Sequence, residues 1–248
     1  MMQIKEIYDL CDKVGCMTFA TWTGTEVKTR IAHLFAYDDD GIYFRTMNTK
    51  PFYEQLTSHK TLSICGMYPQ TQIEHDDNNL PYFVPGYTIR MTGEVRKLSL
   101  PEIENKASSD RNFNVAVYDI KKYPSTKIFV LYKASGEVFD YDFGMRNRDH
   151  KLLRTAFAFG GAQLELAGLR INDNCIGCGA CEEVCTYKAV VAGTPYSIVG
   201  ERCDECGNCN EVCPTGAIEL RNETQGERKL KNYGQGREKK KLELKENS

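Results

Sequence analysis

The first 140 or so residues carry the pattern of a β-rich domain. "IKEIYDLCDKVG", from Ile4, reads as a short helix, and six strand candidates follow it: "MTFATW", "VKTRIAHLFAY", "GIYFRTM", "TLSICGMY", "GYTIRMTGEVRKL" and "KIFVLYKASGEVFDY". Each is rich in β-branched or aromatic residues and is bounded by Gly, Asp, Asn or Pro. Two turns are expected, at "DDDG" after Tyr37 and at "ASG" after Lys133. Six β-runs with one or two helices favour a closed or partly closed barrel over an open parallel sheet, so the fold class is mainly β. The polar run "PEIENKASSDRNFNVAV", from Pro101, predicts a helix or loop before the last strands. Residues 1–143 are thus read as the barrel and 144–168, where the pattern loosens, as a connector. A small α+β domain is expected over 169–220, followed by a charged tail over 221–248 that lacks the apolar residues to order itself.

Composition adds little to this picture. At 248 residues, with 41% hydrophobic and 27% charged residues and a formal net charge of -2, the chain is that of an ordinary soluble protein. No feature points to nucleic acid or membrane. No apolar run approaches the roughly 18 to 20 residues needed to span a bilayer, and the start resembles no signal segment. A cytoplasmic location is expected.

Cysteine usage changes the picture. Of 11 cysteines, Cys11, Cys16 and Cys65 are scattered upstream and are most simply buried thiols; the other eight fall in two boxes. Cys175, Cys178, Cys181 and Cys185 have the spacing C-x2-C-x2-C-x3-C, and Cys203, Cys206, Cys209 and Cys213 repeat it, followed by Pro214. Three thiolates two residues apart wrap a tight loop around one face of a cubane, and the fourth closes it from a short helix. Gly177, Gly179 and Gly207 suit such a loop, because glycine tolerates positive φ and lets backbone N–H groups approach the sulfur atoms. Zinc also takes sets of four cysteines, though usually as paired C-x2-C knuckles set farther apart.

The double box resembles that of bacterial two-cluster ferredoxins, in which the fourth cysteine of each box ligates the other cluster. The resemblance implies Cys175, Cys178, Cys181 and Cys213 around one 4Fe-4S cluster, and Cys203, Cys206, Cys209 and Cys185 around a second. Thr186 departs from the pattern, standing where a turn-shaping Pro is usual.

Upstream, Thr46 ends a strand and Lys50 follows shortly, a hydroxyl and a cation of the kind a phosphate monoester needs. Arg30 on the neighbouring strand is a third candidate. Singly, each is as ordinary as a solvent-facing strand residue. Together, the order helix, strand, "VKTR", "GIYFRT" with Lys50 beyond, "TLSI" and "IRMTGEV" resembles the FMN-binding split barrel of the pyridoxamine 5'-phosphate oxidase-like family, over about residues 14–142. That resemblance implies FMN held by Arg30, Thr46 and Lys50, with His33 on the strand flanking the flavin ring. It also implies a homodimer with FMN at the interface. Pro51 stands where a second basic residue is usual. No C-terminal extension shapes a vitamin site, so vitamin oxidation is not expected. The insertion "PQTQIEHDDNNLPYFVPG", with Tyr82 and Phe83 inside it and Tyr87 just after, is a candidate lid.

The function expected is that of an iron-sulfur flavoprotein, passing electrons between two clusters and FMN to reduce or oxidise a small organic substrate. A low-potential carrier such as a ferredoxin is the expected donor, because no G-x-G-x-x-G signals a nicotinamide domain. The alternative is an electron carrier with no substrate of its own. A barrel holding haem, deazaflavin or no cofactor is a third possibility, although the four histidines form no paired haem motif. No catalytic residue is singled out.

Overall fold

The computed structural model describes residues 2–69, 74–82, 86–141 and 152–221, the side chains of residues 81, 82 and 141 set aside. By internal contacts the chain forms two compact units. One is Met1–Thr71 with Gly86–Val138 and Ala156–Glu165; the other is Gln72–Pro85 with Phe139–Thr155 and Leu166–Ser248.

In the first unit α1 (Ile4–Val14) buries Ile7, Cys11 and Val14, one face at helical spacing. The strands that follow are β1 (Met17–Trp22), β2 (Val27–Ala32), β3 (Leu34–Asp38) and β4 (Gly41–Met47). Then come α2 (Pro51–His59), β5 (Thr61–Tyr68), a small hairpin of β6 (Glu74–His75) and β7 (Pro81–Tyr82) assigned to the second unit, and β8 (Gly86–Lys97). α3 (Leu100–Ser109) and α4 (Asn114–Lys122) lead into β9 (Thr126–Tyr141) and β10 (Leu152–Phe159).

The main sheet runs β2-β1-β5-β8-β9-β4-β3, with β10 added on β9. Its two ends, β2 and β3, are separated in the chain by His33 alone. One extended segment therefore pairs with β1 through its first half and with β4 through its second, and the covalent chain closes the sheet into a barrel. A register shift between Leu34 and Ala36 accompanies the switch of partner.

Phe19, Phe44, Phe52 and Phe129 pack at the centre of the barrel. Phe44 stacks on Phe129 at 5.7 Å, and Phe19 meets Phe44 edge-on at 5.3 Å. The other face of β4 and β9 is covered by α3 and α4: Tyr43, Ile128 and Val130 bury against Ile103, Phe113 and Ala116. Lys106 pins α3 to the β3–β4 turn through Asp38 (2.6 Å) and Asp40 (2.7 Å).

Several expectations need correction. "ASG" is not a turn, since β9 runs through it unbroken; a Cβ on Gly136 would lie 2.2 Å from the Arg90 carbonyl oxygen of β8, so glycine there permits a close strand approach. "VKTRIAHLFAY" is two strands, broken at His33. The stretch read as a connector contains β10, whose Phe157 and Phe159 join the barrel core. Cys11 is buried as expected, its thiol pushed up to about 12 by burial, but Cys16 and Cys65 are exposed. Cys16 follows the end of α1, and Cys65 takes the outward register of β5 opposite Thr18.

In the second unit β11 (Leu169–Ile171) pairs with β14 (Ile218–Leu220), and β12 (Val190–Val191) with β13 (Ser197–Ile198). Two short helices, α5 (Ala180–Glu183) and α6 (Asn208–Val212), carry the third cysteine of each box. The tail beyond Arg221, Phe83 and residues 142–151 lie outside the described residues. Among the described residues no helix is long and apolar enough to cross a membrane.

Candidate functional site

The two boxes fold into matching halves. Gly179 and Gly207, at φ 79 and 80, start α5 and α6, so that left-handed backbone turns each ligand loop into its helix. At the far end of each box the fourth cysteine accepts an N–H four residues on: Ala189 donates to Cys185 Sγ and Ala217 to Cys213 Sγ, both at 3.3 Å.

The halves exchange their last cysteines. One cavity is lined by Cys175, Cys178 and Cys181 together with Cys213 of the other box, and by Ile171, Tyr196 and Ile218; Cys185 is not among its walls. Cys209, in turn, is pushed up to about 12 by burial and by the nearby thiols Cys203, Cys206 and Cys185. Burial also raises Cys181, with added contributions from Cys175 and Cys178. Burial opposes ionisation of Cys213 too, but N–H groups from Ala217, Thr215 and Gly216 and the Thr215 hydroxyl together bring its thiol below the usual value. Among the described residues no three His, Cys, Asp or Glu side chains converge as a single ion requires.

The second loop has a feature the first lacks. Gly177 and Glu205 hold the same place, one residue before the second cysteine of each box, and both are left-handed, at φ 69 and 58. Glu205 N–H donates to Cys203 Sγ (3.4 Å), and its carboxylate accepts from Gly168 N–H (2.7 Å) and from Arg154 (3.0 Å). Arg154 is only 5% exposed and also donates to the Cys203 carbonyl at 3.2 Å.

In the barrel, two of the predicted residues, Arg30 and Lys50, touch or flank α2. Lys50 is the residue before Pro51, which opens the helix, and its side chain is exposed. Thr46, near the end of β4, is buried. Arg30 lies over the Phe52 ring at 4.1 Å and donates to Thr21 Oγ1 (2.7 Å) and Gln55 Oε1 (2.9 Å). Burial lowers the guanidinium's pKa. Thr46, Lys50 and Arg30 are the types of donor that suit a phosphate monoester, and Arg30 already commits two N–H groups to Thr21 and Gln55. His33 sits apart: exposed at the strand break, its ring nitrogens lie 3.7 and 3.9 Å from Cys16 Sγ. Tyr87 is no lid residue. It stacks on Tyr68 at 5.5 Å, and its hydroxyl donates to the Leu10 carbonyl at 2.8 Å. The Tyr82 side chain and Phe83 lie outside the described residues.

Sequence reasoning missed α2 and, with it, Thr21 and Gln55. The signal was there in "KPFYEQL", with Pro at the first helical position and Phe52 and Leu56 four apart. It also passed over Arg154 and Glu205, although the difference between "IGC" and "DEC" in the two boxes was visible.

With this geometry in hand, the chain was compared with known proteins. Residues 170–191 and 196–219 match the family model "4Fe-4S binding domain". The C-terminal segment is thus a 4Fe-4S ferredoxin domain, a class that binds iron-sulfur clusters for electron transfer. No curated protein sequence matches the chain. Among solved structures, a NimC/NimA family protein from Clostridium acetobutylicum is similar at 18% identity and TM-score 0.44, over 63% of this chain and 92% of that one. A pyridoxamine 5'-phosphate oxidase-related, FMN-binding protein from Nostoc punctiforme is similar at 11% identity and TM-score 0.38, over 62% and 95%. HutZ, the heme storage protein from Vibrio cholerae, is similar at 11% identity and TM-score 0.36, over 53% and 90%. Likeness this distant carries no function across; the barrel rests on its own strand order.

Proposed function

We propose that the chain is an iron-sulfur flavoprotein in which two 4Fe-4S clusters exchange electrons with FMN, and FMN reduces or oxidises a small organic substrate. The observation that carries the reading is the exchange of cysteines: Cys213, and not Cys185, completes the cavity of Cys175, Cys178 and Cys181. Cys175, Cys178, Cys181 and Cys213 would hold one cluster, and Cys203, Cys206, Cys209 and Cys185 the other. When bound, the clusters supply single electrons, and FMN links one-electron to two-electron chemistry.

The chain's own part is to hold and orient. Backbone N–H groups donate to the sulfurs of Cys185, Cys203 and Cys213 and fix where they point. Lys50, Thr46 and the amino end of α2 would take the FMN phosphate. Arg30, already fixed by Thr21, Gln55 and Phe52, would present its remaining N–H groups without losing further side-chain freedom. His33 is assigned no part, since its ring sits exposed beside Cys16. The working unit is a homodimer with FMN at the interface, fed by a low-potential electron carrier.

The test is an anaerobic preparation analysed for iron, sulfide and extractable flavin. About eight iron atoms and one FMN per chain are expected. Iron at that level from a protein that neither retains nor rebinds FMN would overturn the flavoprotein and leave a ferredoxin on a barrel of other purpose.

A further inference from the structure

Glu205 lies in left-handed backbone, which an L side chain rarely adopts and which is strained outside glycine. The first box meets the same demand with Gly177, where a Cβ would find only Thr194 Oγ1 and the Gly193 carbonyl at 3.8 and 4.0 Å. What holds Glu205 there is Arg154, which lies outside the cysteine motif altogether, 49 residues before Cys203. Its guanidinium, above the Phe139 ring at 5.9 Å, ties the Cys203 carbonyl to the Glu205 carboxylate. The other carboxylate oxygen takes Gly168 N–H, and Glu205 N–H is directed at Cys203 Sγ. A buried cation thus spans both ends of a ligand loop.

We infer that Arg154 and Glu205 form a charged clamp that positions the second ligand loop and sets the second cluster's lability and potential apart from the first. The inference rests on the reading that Cys203, Cys206, Cys209 and Cys185 hold a cluster. Arg154 acts through the loop and is a positioning residue. Partners of this kind orient metal ligands, and their removal typically costs about 10- to 100-fold in metal affinity. The fixed charges also act on the potential, which follows net charge and hydrogen bonding around the sulfurs. Loss of the cation leaves an unbalanced carboxylate and makes the second cluster harder to reduce. Loss of the carboxylate removes one negative charge beside the loop, with Arg154 still facing Asp204, and does the opposite.

The experiment uses the anaerobic full-length holoprotein, with iron release to a chelator timed and the two clusters' potentials followed by electron paramagnetic resonance. Arg154→Met is expected to speed release of one half of the iron at least about tenfold, leaving the other half unchanged, and to move one potential down. Glu205→Gln, at the partly exposed end of the pair, is expected to move the same potential up. The double change Arg154→Met with Glu205→Gly removes both charges and the strain, and is expected to return release toward the wild-type rate. Wild-type release and potential in both single variants would overturn the clamp, as would equal acceleration of both halves or shifts of one sign. A wild-type protein with only about four iron atoms would instead overturn the two-cluster reading itself.

Discussion

The barrel and the cluster domain bury their interiors with different materials. The barrel core is aliphatic and aromatic, built on Phe19, Phe44, Phe52, Phe129, Ile64 and Leu131. The core of the second unit is small, and three of its buried members are the cysteines Cys181, Cys203 and Cys209, set among Leu169, Ile198 and Ile218. About 50 residues bury too little apolar surface to be stable unaided, and such domains take disulfides or metal instead. One region is therefore stabilised by its own side chains, while the other depends on what its cysteines bind. It follows that metal content and fold should be coupled in one region and independent in the other.

The largest effect expected is that of iron removal, because binding at a structural metal site can supply on the order of 10 kcal/mol of folding free energy. Anaerobic chelation should expose the amides of β11 to β14 to hydrogen exchange while β1, β5 and β8 stay protected. Joint loss of protection, or none, would erase the contrast. The same dependence can be halved: Cys213→Ala should remove the cluster of the first box and Cys185→Ala that of the second, each leaving about four iron atoms per chain. A Cys213→Ala protein that lost the second-box cluster instead would refute the exchange of ligands.

The reverse perturbation comes next. Phe44→Ala or Phe129→Ala removes a stacked ring from a sealed core and should cost about 3–5 kcal/mol in urea unfolding of the barrel, with iron content unchanged. Smaller again is the flavin site. On the proposed reading Lys50→Ala removes one charge-assisted contact, of about 1.5–3 kcal/mol, and should weaken FMN binding roughly 10- to 100-fold in a fluorescence titration without touching the iron. Unchanged FMN affinity would move the phosphate away from α2.

The smallest effect tests the barrel's periphery. Glu102 accepts from Ser99 N–H (2.7 Å) and from Arg96 (2.8 Å) at the start of α3, and these bonds, Ser99 first, pull its pKa from 4.5 down to about 2. A depressed carboxylate stabilises above its unfolded pKa, and that contribution is lost as pH falls through the folded value. Glu102 is largely exposed, so no more than about 1 kcal/mol is involved. Wild-type stability should fall faster than that of Glu102→Gln between pH 4.5 and about 2; parallel curves would remove the cap from the account.

What the sequence disclosed follows the range of the interactions concerned. The eight cluster cysteines could be read because each ligand loop lies within a few residues of chain, and the β-runs because side-chain alternation is local. The place where the barrel closes was hidden, since nothing in "RIAHLF" shows that the chain changes partners at His33. Gly136 looked like a turn, because a glycine that admits a neighbouring backbone has the same letter as one that bends the chain. Arg154 stayed silent for the same reason: its partners, Cys203 and Glu205, are about 50 residues away, and only folding brings them to it.

The proposed function requires a path for electrons between clusters and flavin within one protein. An anaerobic titration with a reduced low-potential ferredoxin, following cluster and flavin absorbance together, reads that path out. About four electrons per chain are expected, one for each cluster and two for FMN. Flavin reduction is expected to slow sharply when Cys213 and Cys185 are both replaced by alanine while FMN stays bound. Flavin reduced at the same rate without clusters, or clusters reduced beside a flavin that never follows, would contradict it.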